Sequence, residues 1–564
     1  MVAALNLSGL GCSFNRTMQI RYGGATEDVT SVTPAAYEAY LAGQLAAERG
    51  DGSTALAQFE TALGHDPDSV YLHVRLAELH VRRGRAREAH RHLDQALRLD
   101  GDHPDALVLL GRMAWHEGRA AAAEAALRRC IAKNPTFPAA YVIRAELLER
   151  QDRPAEARSV LEAMVSRVRD VPEAHSSLAM LCLRQMDYAC AARHLELVLA
   201  QQSDPDTLVR LAHVHRSRGD MAAAVRFLRE AFDRSGGNTG VASTLVELLD
   251  QTGDRQGVDD LLAILEGDAE EDPEQVGVLA GLCLEARRPE RALRLLEAQL
   301  KRGASGVLHV QEAEALARVG RAKQAKELLR KELGGSSAPL AATELARVLQ
   351  REGAYADASE ILRQALRRHP DNDALVLALS GALHLEGKPE ASVQVLHEIV
   401  RRRPGDRGLL FGLGAAQERA GQWRQAIETM RQILRRNPKD AAASNFIGYT
   451  LVEHGEDLKA AERFIRQALF VSPGEGYIVD SLGWLYYRQG RLAEAKRLLE
   501  MAVRLAPREP EVLAHLAEIE AARSDLSGAL RLLRQAVTVS EDAQLTAKLR
   551  KRLHELEKGR VGAR

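Results

Sequence analysis

The chain has little cysteine. Only five occur among 564 residues, at Cys12, Cys130, Cys182, Cys190 and Cys283. Their number is odd and no Cys-x-x-Cys pair is present, so the sequence indicates neither a disulfide framework nor a zinc site. Three of them, Cys130, Cys182 and Cys283, fall at apolar positions of the repeat described below. We expect these three to be small buried hydrophobic residues.

The chain also lacks an excess of charge of either sign, since 77 Lys and Arg residues face 78 Asp and Glu residues. A dedicated nucleic-acid-binding protein normally carries a basic surface, so we expect no nucleic-acid partner. No apolar run reaches the roughly 18 residues of a membrane-spanning helix. Aromatic residues make up only 4% of the chain, which predicts a core of Leu, Ala and Val.

What the chain does have is a period of about 34 residues. Small residues recur every 33 to 35 positions along the whole sequence, for example Ala55, Ala89, Ala123, Ala157, Ala191, Ala426, Ala461, Ala495 and Ala529. A second series of small residues runs twelve or thirteen positions ahead of it and includes Gly43, Gly111, Gly414, Gly448 and Gly483. Two small positions in each unit allow two helices to approach closely, and a fixed period of this length is typical of a solenoid.

The clearest unit runs from Gly476 to Pro507. Its first half has apolar residues at helical spacing, Gly490 interrupts them, and a second apolar face follows from Ala495. Proline ends the unit because it has no backbone N–H and a fixed φ. The pattern predicts a helix–turn–helix hairpin.

The residues of this unit resemble the tetratricopeptide repeat (TPR) family, with Val479, Leu482, Gly483, Tyr486, Gly490, Ala495, Leu499, Ala502 and Pro507 at the signature positions. The resemblance implies an all-α, right-handed superhelical solenoid of about fifteen units. We assign residues 1–35 to an N-terminal segment, 36–541 to the solenoid and 542–564 to a C-terminal capping helix and tail. Residues 235–340 are the weakest repeats and the best candidate hinge.

Catalytic motifs are not convincing. Gly381 and Gly387-Lys388 imitate a phosphate loop, but five residues separate the two glycines and Pro389 replaces the metal-binding hydroxyl. The position of Gly387 in its repeat predicts an interhelix turn instead. We therefore expect no enzyme activity, no metal and no cofactor.

The family resemblance implies that the first helices line a concave groove and that one helical stripe of each points inward. Transferred to the last units, which are rich in aromatic residues, this stripe predicts a partner-binding groove of Phe411, Asn445, Tyr449, Asp480, Trp484, Tyr487 and Arg488. A second cluster near the start contains Tyr40, Arg112, Trp115 and His116. Aromatic and Arg side chains are typical of interaction hot spots.

At the N-terminus, an apolar stretch of small residues extends to Cys12, and the residues that follow are polar. It resembles the end of a bacterial lipoprotein signal, which implies a lipid anchor on Cys12 as the sole membrane attachment. An ordinary disordered N-terminus is the alternative. The basic n-region is missing and Gly9 stands where that signal usually has Leu.

The segments around Asn445 and Asp480 resemble bacterial TPR proteins of the cell envelope. We therefore expect a non-enzymatic scaffold for protein or peptide partners in envelope assembly or motility, located as a periplasm-facing outer-membrane lipoprotein. The alternatives are a cytoplasmic TPR adaptor or regulator and, more distantly, a non-catalytic subunit of a transferase complex.

Overall fold

The computed structural model describes residues 17–22, 25–30, 34–151, 153–167, 172–269, 272–303, 306–540 and 542–562. From residue 34 onward these residues form antiparallel helix pairs that follow one another along the chain, which confirms the predicted all-α helical solenoid. The helices of the first seven pairs are α1 (Pro34–Glu48), α2 (Gly52–His65), α3 (Val70–Arg82), α4 (Ala86–Leu99), α5 (Pro104–His116), α6 (Ala120–Lys133), α7 (Pro138–Arg150), α8 (Pro154–Arg167), α9 (Pro172–Arg184), α10 (Tyr188–Gln201), α11 (Pro205–Arg218), α12 (Met221–Arg234), α13 (Thr239–Thr252) and α14 (Arg255–Ala269).

The next eight pairs continue the same pattern to the end of the solenoid. They are α15 (Pro273–Glu285), α16 (Pro289–Lys301), α17 (Val307–Arg318), α18 (Ala322–Glu332), α19 (Ala338–Arg351), α20 (Tyr355–Arg368), α21 (Asp373–Leu385), α22 (Pro389–Arg402), α23 (Arg407–Arg419), α24 (Trp423–Arg436), α25 (Ala441–Glu453), α26 (Leu458–Val471), α27 (Gly476–Arg488), α28 (Leu492–Leu505), α29 (Pro510–Ala522) and α30 (Leu526–Val539). The expected number of about fifteen units is therefore correct.

The small residues of the period lie where two helices of a pair touch. Nearly all alanines of the first series, such as Ala426 and Ala495, are fully buried. A Cβ on Gly483 would come within 2.8 Å of Leu499, and one on Gly448 would come within 2.5 Å of Ile465. Larger side chains at these positions would force the helices apart.

Glycine also makes the turn between the two helices of many pairs. Gly490 and Gly387 have φ values of 78° and 81°, a left-handed conformation that costs other residues more than glycine. Gly387 follows the end of α21 and precedes α22. It is an interhelix turn and not part of a phosphate loop.

The chain divides into two compact units, residues 1–178 and 179–564. Unit 1 contains cores built around Phe59 and Leu93, and unit 2 contains cores built around Met430 and Leu482. This division lies outside residues 235–340, whose role as a hinge stays a prediction.

A further helix, α31 (Ala543–Gly562), follows the last pair. Its Leu549 is buried in the core that contains Leu482. Arg552 of this helix also bonds to both carboxylate oxygens of Glu518, at 2.6 and 2.7 Å. The helix therefore packs on the end of the solenoid.

The sequence did not predict the two strands that precede α1. Strands β1 (Thr17–Tyr22) and β2 (Ala25–Thr30) pair antiparallel, with Thr17 opposite Thr30 and Tyr22 opposite Ala25. Cys12, the predicted lipidation site, lies outside the described residues.

One expectation about cysteine was wrong. Cys182 forms a disulfide with Cys190, and their Cα atoms are 5.8 Å apart. The two residues come together because a short turn joins α9 to α10, so that helical neighbours in space are only eight positions apart in sequence. Cys130 and Cys283 are buried thiols, as expected.

Within the described part of the chain, no helix is both long and apolar enough to cross a membrane. The same residues contain no group of three or more His, Cys, Asp or Glu side chains arranged to hold a metal ion.

Candidate functional site

Two of the predicted groove residues, Trp484 and Tyr487, form a ring stack with His515. The indole of Trp484 stacks on the ring of Tyr487, with centroids 4.8 Å apart, and on the imidazole of His515, with centroids 4.2 Å apart. Trp484 and Tyr487 are one helical turn apart on α27, and His515 comes from α29 of the next pair. The stack therefore joins the first helices of two successive units.

A buried ion pair fixes His515 in this stack. Its Nδ1 lies 3.0 and 2.9 Å from the two carboxylate oxygens of Asp480, which is one turn before Trp484 on α27. Burial alone would lower the pKa of His515, but its pairing with Asp480 outweighs burial and raises the pKa. The ion pair thereby favours the charged form of the imidazole beside the indole.

Further carboxylates surround Tyr449, which extends from α25 towards His515 at a centroid distance of 6.1 Å. Burial raises the pKa of the Tyr449 hydroxyl, and the charges of Glu453, Glu511 and Asp480 raise it further. Glu453 and Glu511 are exposed as whole residues. Partial burial of the carboxyl group nevertheless raises the pKa of Glu511, against the opposing effect of His515.

We call the residues Tyr449, Glu453, Asp480, Trp484, Tyr487, Glu511 and His515 the Trp484 site. Glu453 also accepts a hydrogen bond from the indole N–H of Trp484. Exposed carboxylates beside aromatic rings form a surface that attracts cationic groups.

The remaining predicted groove residues are not part of this arrangement. Phe411 packs edge-on against Phe446 at 5.9 Å and belongs to the neighbouring core around Met430. Asn445 is 7% exposed, and its side-chain oxygen has no hydrogen-bond partner in the structure. Arg488 is exposed and reaches the backbone oxygen of Glu453 at 3.4 Å, so it lies at the edge of the site.

The second predicted cluster is only partly assembled. The Tyr40 hydroxyl lies 3.2 Å from that of Tyr71, and the guanidinium of Arg75 donates to Tyr71 at 2.9 Å. Arg112 and His116 are exposed and Trp115 is partly exposed, all on α5. Tyr40 therefore joins Tyr71 and Arg75, and its ring makes no contact with that of Trp115 in the described structure.

Unit 1 contains a different group of histidines, which sequence analysis did not single out. His73 and His92 approach to 3.1 Å through their Nδ1 atoms, and the ring of His80 stacks on His92 at 5.6 Å. Burial lowers the pKa of all three, and that of His92 falls to about 4 with a contribution from His73. We call these residues the histidine cluster.

Three residues of the Trp484 site, Glu453, Glu511 and His515, are absent from the groove predicted from the sequence. Glu453 lies on the inward stripe, and so does Glu511 one unit further on, so extending the stripe by one unit would have found Glu511. His515 lies off that stripe, and no sequence signal marks it. Its role follows from the contact between α27 and α29.

The fold and the site define a helical-repeat protein with a polar and aromatic surface on its first helices. Models of the tetratricopeptide repeat match residues 71–337, residues 349–407 and 383–448, and residues 40–86 and 481–544. Together these matches cover most of the chain, which therefore belongs to the tetratricopeptide repeat family. Repeats of this family generally act as non-catalytic scaffolds that bind other proteins.

Individual relatives are more remote. A TPR repeat-containing protein of Pseudomonas aeruginosa is 42% identical over 57 residues, which are 10% of this chain and 10% of the relative. The match thus spans a tenth of the length of that protein.

Two solved structures are similar in helical repeat. Yeast Tom70 is 14% identical with a TM-score of 0.41, over 75% of this chain and 96% of Tom70. A tetratricopeptide repeat protein from Parabacteroides merdae is 16% identical with a TM-score of 0.37, over 44% of this chain and 97% of that protein. Since both TM-scores are below 0.5, the family assignment rests on the repeat models.

Proposed function

We propose that this protein is a non-enzymatic scaffold that binds a basic segment of a partner protein at the Trp484 site. The observation that carries the proposal is the convergence of exposed carboxylates and aromatic rings from three successive first helices. Glu453, Trp484 and Glu511 come from α25, α27 and α29, respectively. A single extended segment can contact all three helices, since TPR first helices lie side by side.

The balance of charge decides the chemistry of the partner. The charges of Glu418, Glu453, Asp480 and Glu511 all act on Tyr449. The groups that oppose them are His515, which acts on Glu511, and Arg419, which lies beside Glu418. Because His515 is already paired with Asp480, the other carboxylates remain available to Lys or Arg side chains. Tyr449 and the stacked rings supply the apolar surface that a hot spot needs.

Binding of two unstructured peptides of equal length tests this proposal. One peptide is rich in Lys, Arg and aromatic residues, and the other replaces its basic residues with Asp and Glu. We expect the full-length protein to bind the basic peptide in a fluorescence anisotropy titration, with an affinity that falls as salt is added. Combined Glu418→Gln, Glu453→Gln and Glu511→Gln substitutions should weaken binding by about tenfold or more.

The matched control replaces exposed glutamates away from the site, Glu196→Gln, Glu327→Gln and Glu398→Gln. It changes net charge by the same amount and should leave binding close to wild type. Equal binding of both peptides, or equal loss in both triple variants, would show that the Trp484 site does not select a basic segment.

We also propose that the protein works at the periplasmic face of a bacterial outer membrane, in envelope assembly or motility. Two observations support this location. The residues up to Cys12 resemble a lipoprotein signal, and Cys182 is bonded to Cys190, as is usual in oxidising compartments.

Fractionation of cells expressing the wild type and Cys12→Ser from the native locus tests the location. We expect the wild type with the membranes and the variant in the soluble periplasmic fraction, since acyl chains contribute about 0.8 kcal/mol per buried methylene. Equal membrane association of both forms would refute the anchor. A soluble wild type with free thiols at Cys182 and Cys190 would favour the cytoplasmic adaptor.

A further inference from the structure

Two segments of unit 2 that are far apart in sequence contact each other. The end of α11, the first helix of the sixth pair, meets the end of α28, the second helix of the fourteenth pair. The Nε of Arg216 donates to the backbone oxygen of Arg504 at 3.0 Å, and its Nη2 donates to that of Leu505 at 2.9 Å. Repeats six to fourteen therefore form a closed superhelical turn.

The contact is reciprocal. Arg504 donates to the backbone oxygen of Ser217 at 3.2 and 3.0 Å, just as Arg216 donates to the end of α28. The last carbonyl groups of a helix have no partner within it and carry partial negative charge. Each helix thus supplies the arginine that caps the other, which makes this a specific contact between two helix ends that would otherwise repel.

Neighbouring contacts extend this seam on both sides. Gln251 donates to the backbone oxygen of Arg504 at 3.2 Å, and Arg508 pairs with Asp250. The imidazole of His213 lies against Gly474, where a Cβ would come within 2.8 Å of it. The seam therefore involves α11, α13, the loop before α27 and the loop after α28.

Contacts from the start of unit 2 complete the seam. The Tyr188 hydroxyl donates to the sulfur of Met501 at 2.9 Å, and the guanidinium of Arg184 lies over the ring of Phe470 at 4.6 Å. Arg184 ends α9 and Tyr188 begins α10, so the two residues flank the turn between these helices. The Cys182–Cys190 disulfide encloses that turn and limits its freedom.

We propose that this seam is a reversible latch that holds repeats six to fourteen closed and opens when its arginine contacts are broken. The contacts between α11 and α28 are hydrogen bonds from charged groups to helix ends, and Met186 and Tyr188 add side-chain packing at one end of the seam. Opening breaks hydrogen bonds that water can replace. One further step rests on the proposed function. Opening of the latch widens the approach to the concave surface and speeds loading of a partner segment.

Small-angle X-ray scattering and hydrogen exchange on the full-length chain test the latch without any partner. Arg216→Ala combined with Arg504→Ala should increase the radius of gyration and leave helicity by circular dichroism unchanged. Exchange of amides in the loop after α28 should rise by about tenfold or more, because a charge-assisted hydrogen bond changes an opening equilibrium by about that factor. Arg402→Ala, in the last turn of α22, is the matched control and should change neither.

A charge swap provides an independent test of the latch if the double alanine variant loses helicity. Arg508→Asp places two carboxylates together at the seam and should open it, and adding Asp250→Arg should close it again. Wild-type scattering and exchange in Arg508→Asp would overturn the latch.

The two proposals fail separately. A latch variant with unchanged dimensions that still binds the basic peptide would refute the latch and leave the Trp484 site standing. If the latch variant opens but neither it nor the wild type binds the basic peptide, the latch stands and binding at the Trp484 site is refuted.

Discussion

Partly buried histidines in the two units stand in opposite electrostatic environments. In the histidine cluster of unit 1, His92 faces His73 and His80, and burial lowers its pKa to about 4. In unit 2, His515 is held between Asp480 and Trp484, and its pKa is raised. Similar helix pairs thus favour the neutral form of one imidazole and the charged form of another, because the neighbouring helix supplies a histidine in one case and a carboxylate in the other.

The comparison has a direct consequence for stability. A histidine whose pKa is lowered on folding contributes stability that is lost as pH falls from its unfolded value of about 6.5 towards the folded value. One whose pKa is raised contributes stability that is present below about 6.5 and is lost as pH rises through the folded value. Acid should therefore weaken unit 1, and alkali should weaken the Trp484 site.

The largest effect should come from breaking the ion pair. Asp480→Ala leaves His515 buried without its partner, and removal of one member of a buried pair typically costs about 3–5 kcal/mol. We expect faster hydrogen exchange in α27 and α29, while α3 and α4 exchange as in the wild type, because solenoid units couple mainly to their neighbours. Loss of protection spread evenly over both units would contradict that local coupling.

A packing change between the two helices of a neighbouring pair separates charge from shape. A Cβ on Gly448 meets both the Ile465 side chain at 2.5 Å and the backbone oxygen of Ala461 at 3.0 Å. Gly448→Ala should cost about 1–3 kcal/mol at every pH. Gly483→Ala should cost less, because its Cβ meets only side-chain atoms of α28, with Leu499 nearest. Denaturant unfolding at acid and alkaline pH measures both, and a pH-dependent loss in Gly448→Ala would contradict this assignment.

Acid should act on the histidine cluster. As pH falls from about 6.5 to 4, unit 1 should lose about 2 kcal/mol or less, since His92 is only partly buried and solvent screens its charge. His92→Leu should reduce this loss in α3 and α4, measured by hydrogen exchange at several pH values. Exposed His116→Gln is the control, and an acid response that survives His92→Leu would show that another group causes it.

The sequence was sufficient for the repeated part of the molecule because small residues, turn glycines and proline stops recur along the chain at the same period. The positions of Gly483 and Gly490 have the same structural role in many repeats, so the pattern is visible without a structure. The two strands before α1 have no such repetition, and they were missed.

The sites were less predictable because they depend on single residues. The stripe that selected Tyr449, Asp480 and Trp484, which lie close together in the structure, also selected Phe411, which packs into a different core. His515 lies off the stripe. Arg216 contacts the segment around Arg504 only because the solenoid returns on itself after eight helix pairs. Contacts between distant units leave no periodic signal.

The smallest expected effect is the alkaline response of the Trp484 site. His515 faces Asp480 on α27, Glu453 on α25 and Glu511 on its own helix, and these carboxylates outweigh the opposing effect of burial. The stability that this charge contributes is present below about pH 6.5 and falls by about 1.4 kcal/mol for each unit by which folding raises the pKa. We expect exchange in α27 and α29 to increase as pH rises above neutrality, after correction for the intrinsic exchange rate, with no matching change in α3 and α4. Asp480→Asn should abolish the response, because the amide cannot hold the imidazole in its charged form. A response of equal size in Asp480→Asn would show that a group other than His515 titrates there.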